Sequence, residues 1–187
     1  SDVNINNNFS GFMGGGAQVM SANPTFNRVV FSGNISSSSG SAISLAFSGN
    51  SALNHVTITK NSGGGWTGPL WANSNTVIKN SIFWDNSYDL EEYYFGSTQP
   101  PLTNCNVEIN PGDGNGNISS NPLFVDPDND NFNLQLNSPC IDAGDPSSDL
   151  DPDGTIADIG AYYFHQIPGC TDEYACHYDV EANINDG

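Results

Sequence analysis

The stretch NPTFNRVVFSGN (residues 23–34) decides the fold, because altered copies follow it as SALNHVTITKN (51–61) and VIKNSIFWDN (77–86). A fourth copy, LTNCNV (102–107), is shorter, and a degenerate earlier one runs through Val3, Ile5 and Phe9. Alignment on the last Asn gives columns of Phe26, Leu53, Ile78 and Leu102; of Val29, Val56, Ser81 and Cys105; of Phe31, Ile58, Phe83 and Val107; and of Asn34, Asn61 and Asn86. A period of about 25 residues with many β-formers predicts a solenoid in which each copy is one coil.

The composition agrees with short strands joined by turns. The 187 residues include 26 Asn, 20 Gly and 11 Pro, which disfavour helices and favour turns. Glycine-rich or serine-rich stretches follow the first strand of each copy, and a second short apolar strand comes next, at Ala17 to Met20, Ala42 to Phe47 and Pro69 to Trp71. A β-sandwich with chance similarity is the alternative, and agreement in three columns across four copies favours the solenoid.

The repeat resembles the right-handed parallel β-helix repeat family of secreted bacterial proteins. The pattern Phe26-x-x-Val29-x-Phe31-Ser-Gly-Asn34 and its copies carry the resemblance. Asn80 and Asn104 match the stacked turn Asn of that family, whereas Arg28 and His55 stand in this column in the two preceding coils. The resemblance implies an all-β fold, a short right-handed parallel β-helix of about 4–6 coils over residues 1–120.

Two further segments follow the coils. Residues 121–165 resemble the Asp-rich closing segment of such proteins, on the stretch NPLFVDPDNDNFNLQLNSPCIDAGDPSSDLDPDGTIADIGAYYF (121–164). Residues 166–187 contain GCTDEYACHYDVEANINDG (169–187), which is similar to a short Cys-containing module of surface-attached proteins from Bacteroidota-like bacteria. That module continues to a further Ser-Cys, so we expect a truncated tail here.

The charges are divided unevenly along the chain. Residues 1–84 hold one acid and all three bases, a net charge of +2, whereas residues 85–187 hold 20 acids and no base. This acid excess argues against nucleic acid or an anionic membrane as partner. No apolar run reaches the length of a membrane helix, and the chain does not open on a signal peptide. Because the acids stand among apolar residues, bound cations are a better expectation than disorder.

Calcium is the cation that these acids would suit. Alternating Asp residues before a Gly can converge on a hard ion that takes six to eight oxygens. The candidate ligands are Asp149, Asp151, Asp153 and Asp158, then Asp126, Asp128 and Asp130, and then Asp142 and Asp145. The first group begins like an EF-hand loop but has Gly160 where Glu would close it, and a solvated Asp-rich turn is the alternative. Asp113 could begin another loop. Zinc is disfavoured because the His and Cys residues lack paired ligand spacing.

The four cysteines allow three disulfide connectivities. We expect Cys105–Cys140 and Cys170–Cys176. The alternatives are a free, buried Cys105, because its column faces inward, and an unpaired Cys170 or Cys176 whose partner lies beyond Gly187. Disulfides and calcium both suit an extracellular setting. Three sequons, at Asn8, Asn34 and Asn117, are candidate glycan attachment sites, although chance explains them in so Asn-rich a chain.

The sequence favours a structural role over a catalytic one. A β-helix lyase would need Arg28, Lys60 or Lys79 beside a calcium ion, and none lies near an Asp cluster in sequence. The coils hold almost no carboxylates, since Asp85, Asp89, Glu91 and Glu92 come only at their end, so a hydrolase is also disfavoured. We expect an extracellular calcium-binding structural or adhesive module that stacks through open ends on its own copies, as a filament, or on a neighbouring domain. The alternative is carbohydrate binding, through Trp66, Trp71, Trp84 and residues 88–95, or a polysaccharide lyase or hydrolase.

Overall fold

The structure is a computed structural model that describes residues 3–45, 49–63, 67–87, 100–109 and 114–186. Trp66, residues 88–95 and Asp113 lie outside these ranges. Within them the regular structure consists of short strands and one 3-10 helix, and none of it is a helix long and apolar enough to cross a membrane. The elements are β1 (Val3–Asn6), β2 (Phe9–Ser10), β3 (Ala17–Gln18), β4 (Thr25–Ser32), β5 (Ile35–Ser36), β6 (Ile43–Ser44), β7 (Ala52–Thr59), β8 (Ser62–Gly63), β9 (Leu70–Trp71), β10 (Val77–Lys79), β11 (Ile82–Trp84), β12 (Leu102–Thr103), β13 (Asn106–Val107), β14 (Phe124–Asp126), the 3-10 helix η1 (Pro127–Asn129), β15 (Asn131–Leu134), β16 (Pro168–Gly169) and β17 (Ile184–Asn185).

The strands stack in parallel on three faces of a β-solenoid. The main face runs β1-β4-β7-β10-β12, with β11 and β13 continuing the levels of β10 and β12. The second face is β2-β5-β8 and the third is β3-β6-β9. The solenoid makes about three turns, so the expectation of about 4–6 coils was too high. The later copies add levels to the main face only, among the described residues.

The register confirms the sequence columns. Phe26 pairs with Leu53, Val29 with Val56 and Phe31 with Ile58 across β4 and β7. The same alignment continues into the later copies, with pairs Leu53–Ile78, Ile78–Leu102, Ile58–Phe83 and Phe83–Val107. It also reaches back to the degenerate first copy, as the pairs Val3–Val29, Ile5–Phe31 and Phe9–Ile35. The repeat period therefore sets which side chains stack.

An asparagine ladder joins the coils at the closing Asn of each copy. Asn8, Asn34 and Asn61 each donate both the backbone N–H and the side-chain Nδ2–H to the Oδ1 of the Asn one coil onward, over 2.9–3.1 Å. Among the described residues, Asn86 is the last acceptor of this ladder. Asn34 and Asn61 are fully buried. The ladder thus runs through the column that ends each copy, and the column of Asn80 and Asn104, which the family resemblance favoured, has a different role.

The protein has two hydrophobic cores, one inside the coils and one outside them. Inward side chains of the main face, such as Phe31, Ile58 and Phe83, fill the inner core. Alternate residues of the same strands point outward, and Val30 and Ile82 pack there against residues 121–164. The outer core's other members are Phe124, Phe132, Leu134, Cys140, Ile159 and Ala161. The closing segment therefore packs along the side of the solenoid.

The two ends of the main face differ. At the C-terminal end, Ile118 pairs with Asn106 as a parallel bridge, and Asn117 accepts a hydrogen bond from the backbone N–H of Cys105 at 3.0 Å. The chain after β13 therefore covers that edge. At the other end, β1, β2 and β3 are the outermost strands of their three sheets. Among the described residues nothing pairs with their outer edges.

The tail forms a small closed unit. Its strands β16 and β17 pair in parallel, and Cys170 bridges to Tyr178. The Gln166 side chain and backbone donate to Asp142 and Asp153 respectively, both at 2.8 Å, and so fasten the unit to the closing segment.

Candidate functional site at the seam between coils and closing segment

One turn of each coil faces the closing segment. It is occupied by Arg28, His55, Asn80 and Asn104 in successive coils, and their φ angles lie between 47° and 54°. This left-handed conformation suits Asn and is uncommon for other non-glycine residues. Arg and His therefore need a compensating reason to stand here, and their contacts with residues 142–161 provide it.

Arg28, Asn80 and Asn104 each bond a different residue of the closing segment, and His55 also bonds Asn80. Arg28 Nη2 lies 3.0 Å from Asp151 Oδ1, and the Asp151 side chain is only 1% exposed. Asn80 accepts from the backbone N–H of Asp145 at 2.7 Å. Asn104 donates to the carbonyl oxygen of Ala143 at 3.0 Å. The column thus binds the closing segment at successive levels of the solenoid.

His55 is buried and neutral. The Asn80 amide is oriented by its bond to Asp145, so its Nδ2 faces His55 Nε2 at 3.2 Å and donates to it. That bond requires an unprotonated Nε2 and places the ring proton on Nδ1. Burial lowers the pKa of His55, and the nearby Arg28 guanidinium adds to the effect. The imidazole therefore serves as a hydrogen-bond acceptor in the seam.

The lysines complete the pairing of acids with bases. Lys79 Nζ lies 2.8 Å from Asp145 Oδ2, and hydrogen bonds from Lys79 and Ser147 hold the pKa of that carboxyl well below its usual range. Lys60 Nζ lies 2.8 Å from Asp128 and donates to the carbonyl oxygen of Pro127 at 2.6 Å. All three bases of the chain thus pair with acids, one in each of the three Asp groups. The sequence signal was present, since every base stands on or beside a turn of the repeat.

Most of the buried carboxylates accept hydrogen bonds from backbone N–H groups. Asp158 accepts from the N–H groups of Asp142 and Phe164 at 2.7 and 2.6 Å, while Asp151 Oδ2 accepts from the N–H of Asp158 at 2.8 Å. Burial raises the pKa of Asp158 to about 6 against these donors, with the carboxylates of Asp151 and Asp142 adding to the rise. Asp153 is likewise bonded by Thr155 and Gln166. These carboxylates act as internal acceptors.

The expected calcium ligands do not converge. In the part of the chain that the structure describes, no group of three or more His, Cys, Asp or Glu side chains could hold a metal ion. The carboxylates with most room for a cation, at Asp130 and Asp149, are exposed and lie in different turns. The described side chains therefore do not fit a preformed calcium site, and calcium binding itself stays a prediction.

The cysteines are all free thiols. Cys105 belongs to the inner core and Cys140 to the outer core, so the wall of the main face separates them, and the Cys105–Cys140 disulfide is not formed. Burial raises the pKa of Cys105 to about 12 and that of Cys140 to about 11. Cys170 and Cys176 are also unpaired, the latter exposed. The alternative of a free, buried Cys105 matches the structure.

The three sequons differ in accessibility. Asn34 is fully buried in the ladder, which leaves no room for a glycan on its amide in the folded chain. The Nδ2 of Asn117 donates to the Leu102 carbonyl oxygen at 3.2 Å. Asn8 is exposed, but its Nδ2 donates to Asn34. Only Asn8 combines a sequon with an exposed side chain in the described ranges.

Two clefts meet at Arg28. A polar cleft of about 370 Å³ lies between the coils and residues 147–150, and Asn27, Asn54 and His55 line its coil side. A second cleft of about 260 Å³ is lined by Tyr162 and Tyr163 among others. The Arg28 guanidinium carbon lies 6.0 Å from the centre of the Tyr163 ring. Amides, hydroxyls and aromatic rings together can bind a polar ligand through hydrogen bonds and stacking.

In comparisons with known proteins, no family model, curated protein or solved structure matches this chain.

Proposed function

We propose that this chain is a structural module of an extracellular surface protein, a short β-solenoid rod held along one side by its C-terminal segment. One observation carries the proposal: all three basic residues are engaged in ion pairs that fasten this segment to the coils. Groups that an enzyme of this fold would need for catalysis are thereby engaged in holding the module together.

The extracellular setting rests on sequence. The acid excess and the resemblance of residues 169–187 to a module of surface-attached bacterial proteins support it. Calcium would add to this setting if the exposed acids bind it, and the right-handed sense of the coils belongs to the same resemblance.

Activity assays test the structural role. Purified protein is incubated with uronate-containing and neutral polysaccharides, and product is followed as new reducing ends and as absorbance of unsaturated uronates. We expect no turnover with the wild-type chain. Turnover that is lost on Arg28→Met, with the fold intact by circular dichroism, would overturn the proposal and identify an enzyme.

Carbohydrate binding is the second candidate, and the clefts beside Arg28 favour it. Asn54 donates to Asn27 at 3.3 Å across neighbouring coils, so amides repeat along the polar cleft at the strand spacing. Because Asp151 neutralises Arg28 and Asp149 lines the same cleft, a neutral saccharide fits better than an acidic one. Retarded migration of the protein in gels containing neutral polysaccharide, abolished by Asn54→Leu, would support this role.

A further inference from the structure

We infer that the N-terminal face of the solenoid is a docking surface for a preceding β-solenoid coil that has an open C-terminal edge and an Asn at the ladder position. The inference rests on the proposed function and names the kind of coil that this face would receive. We call this surface the N-terminal face, formed by β1, β2 and β3 with the residues between them.

The first observation is the polarity of the asparagine ladder. In every rung the donors belong to the earlier coil and the Oδ1 acceptor to the later one. Asn8 is the first rung, and among the described residues its Oδ1 accepts no hydrogen bond, whereas the Oδ1 atoms of Asn34, Asn61 and Asn86 each accept two. An Asn placed one coil earlier would donate to Asn8 as Asn8 donates to Asn34.

The second observation is the composition of this face. From Val3 to Asn27 the sequence contains no charged residue, in a chain with 21 acids. Natural sheets usually protect exposed edges with charges or proline. Here three parallel edges are open together, and large apolar side chains lie exposed beside them: Val3 at 45%, Phe9 at 71%, Phe12 at 60% and Met20 at 60%.

The third observation is continuity with the contact between coils 1 and 2. Ile5 and Ala17 pack against the inner core and remain partly exposed. A preceding coil would cover these side chains in the same way as the first coil covers the residues of β4 and β6. The register is already defined, because Val3 aligns with Val29 and Phe9 with Ile35.

A second copy of this chain fits the surface less well than another solenoid does. Pairing of the same face between two copies would set Asn8 acceptors against each other. Head-to-tail stacking would need the C-terminal edge of the main face, which Ile118 and Asn117 cover. The partner is therefore a solenoid whose final coil is uncovered, and the filament expected from sequence would require displacement of residues 117–118.

A grafted coil tests the surface directly. A second copy of residues 29–55 replaces residues 1–2, so that its last residue is joined directly to Val3. The copied Asn34 then stands one coil before Asn8. The matched control carries Asn34→Leu in the copied coil only. We expect the graft to raise the melting temperature by about 5 °C or more. It should also slow amide hydrogen exchange of residues 3–19 at least tenfold, and the control should lose most of both effects.

The outcomes separate the inference from the proposed function. A graft that stays protease-sensitive, with unchanged melting temperature and exchange, would overturn the docking surface; equal stabilisation by graft and control would overturn the role of Asn8. Sedimentation of the ungrafted chain should show a monomer from about 1 to 100 µM, and head-to-tail polymers would identify a second copy as the partner instead. Polysaccharide turnover would overturn the structural role while leaving the graft result as it stands.

Discussion

Arg28 and Asp151 are 123 residues apart in the chain, and yet their side chains meet at 3.0 Å with the carboxylate almost fully buried. The guanidinium side chain keeps 29% of its surface exposed, and Asp151 uses its other oxygen to accept from the N–H of Asp158. The pair therefore joins the second coil of the solenoid to a buried carboxylate of the closing segment.

Arg28→Met should destabilise the protein far more than Lys60→Met. The first substitution leaves a buried carboxylate without its cation, and we expect a loss of about 2–4 kcal/mol, below the full range for buried pairs because Arg28 is partly exposed. The second breaks a pair whose Asp128 side chain is 91% exposed, and such solvent-screened pairs contribute little to stability. Urea denaturation measures both. Equal losses would contradict the structural importance of the Arg28 pair.

Asn61→Ala should be the most damaging asparagine substitution in the third coil. It removes an acceptor for both donors of Asn34 and leaves buried N–H groups unpaired, which costs about 3 kcal/mol or more. Asn54→Ala in the same coil is the control, because Asn54 makes a 3.3 Å bond on the outer face. We expect its effect to stay within about 1 kcal/mol. Thermal melts compare the two, and a milder effect at Asn61 would refute the ladder's contribution.

Two groups in the seam should give opposite pH dependences. The folded pKa of Asp158 lies near 6, above its unfolded value, so its contribution to stability is greatest at low pH and is lost as pH rises through about 6. The folded pKa of His55 is lowered, so its contribution is present above the unfolded value of about 6.5 and is lost as pH falls. Of these two dependences, Asp158→Asn retains only that of His55.

The melting temperature of Asp158→Asn, relative to its own value at pH 4.5, should therefore rise more steeply toward pH 7 than that of the wild type. His55→Gln should show the reverse change, a steeper fall with rising pH. Parallel profiles for all three proteins would show that neither group titrates differently in the folded and unfolded states.

Gly160→Ala should loosen the closing segment. A Cβ there would lie 2.7 Å from the Ile82 side chain, and the φ of +118° adds strain. Gly154→Ala is the control, since its φ is +88° but a Cβ would meet nothing within 4 Å. We expect Cys140 to react with a thiol reagent at least tenfold faster in Gly160→Ala, while Cys105 in the inner core stays protected. Peptide mass mapping locates the label. An unchanged rate of Cys140 labelling would show that the closing segment does not depend on Gly160 for its packing on the coils.

Chelation should change stability little. From the sequence alone, removal of calcium would be expected to lower the melting temperature by many degrees, but protein donors bond the carboxylates of Asp145, Asp151 and Asp158. We expect EDTA to shift the melting temperature by less than about 2 °C. A drop of 10 °C or so that calcium reverses would show that a cation does hold these turns.

The sequence predicted the coils well, because a repeat of known period fixes which residues stack. The columns from Phe26 and Phe31 are confirmed by the register, as is the pair of Val29 with Val56. The docking of residues 121–164 has no period, since it depends on single pairs between residues 66 to 123 positions apart. Counting charges along the chain suggested acids without counter-ions, and only the fold brings the bases to them. The sequence shows Asn34 and Asn61 closing their copies but does not show their hydrogen bonds, because an Asn at the end of a strand is equally typical of a turn.

The column of Arg28, His55, Asn80 and Asn104 sets the position of the C-terminal segment along the solenoid axis. A repeating scaffold presents nearly the same surface at every level, so a segment that packs along it could shift its register by one coil. Here the levels carry different side chains, and a slip of one coil would set Asp151 against neutral His55. The residues that depart from the repeat thus select one register for the C-terminal segment. They explain how a periodic solenoid binds a non-periodic segment in a single position.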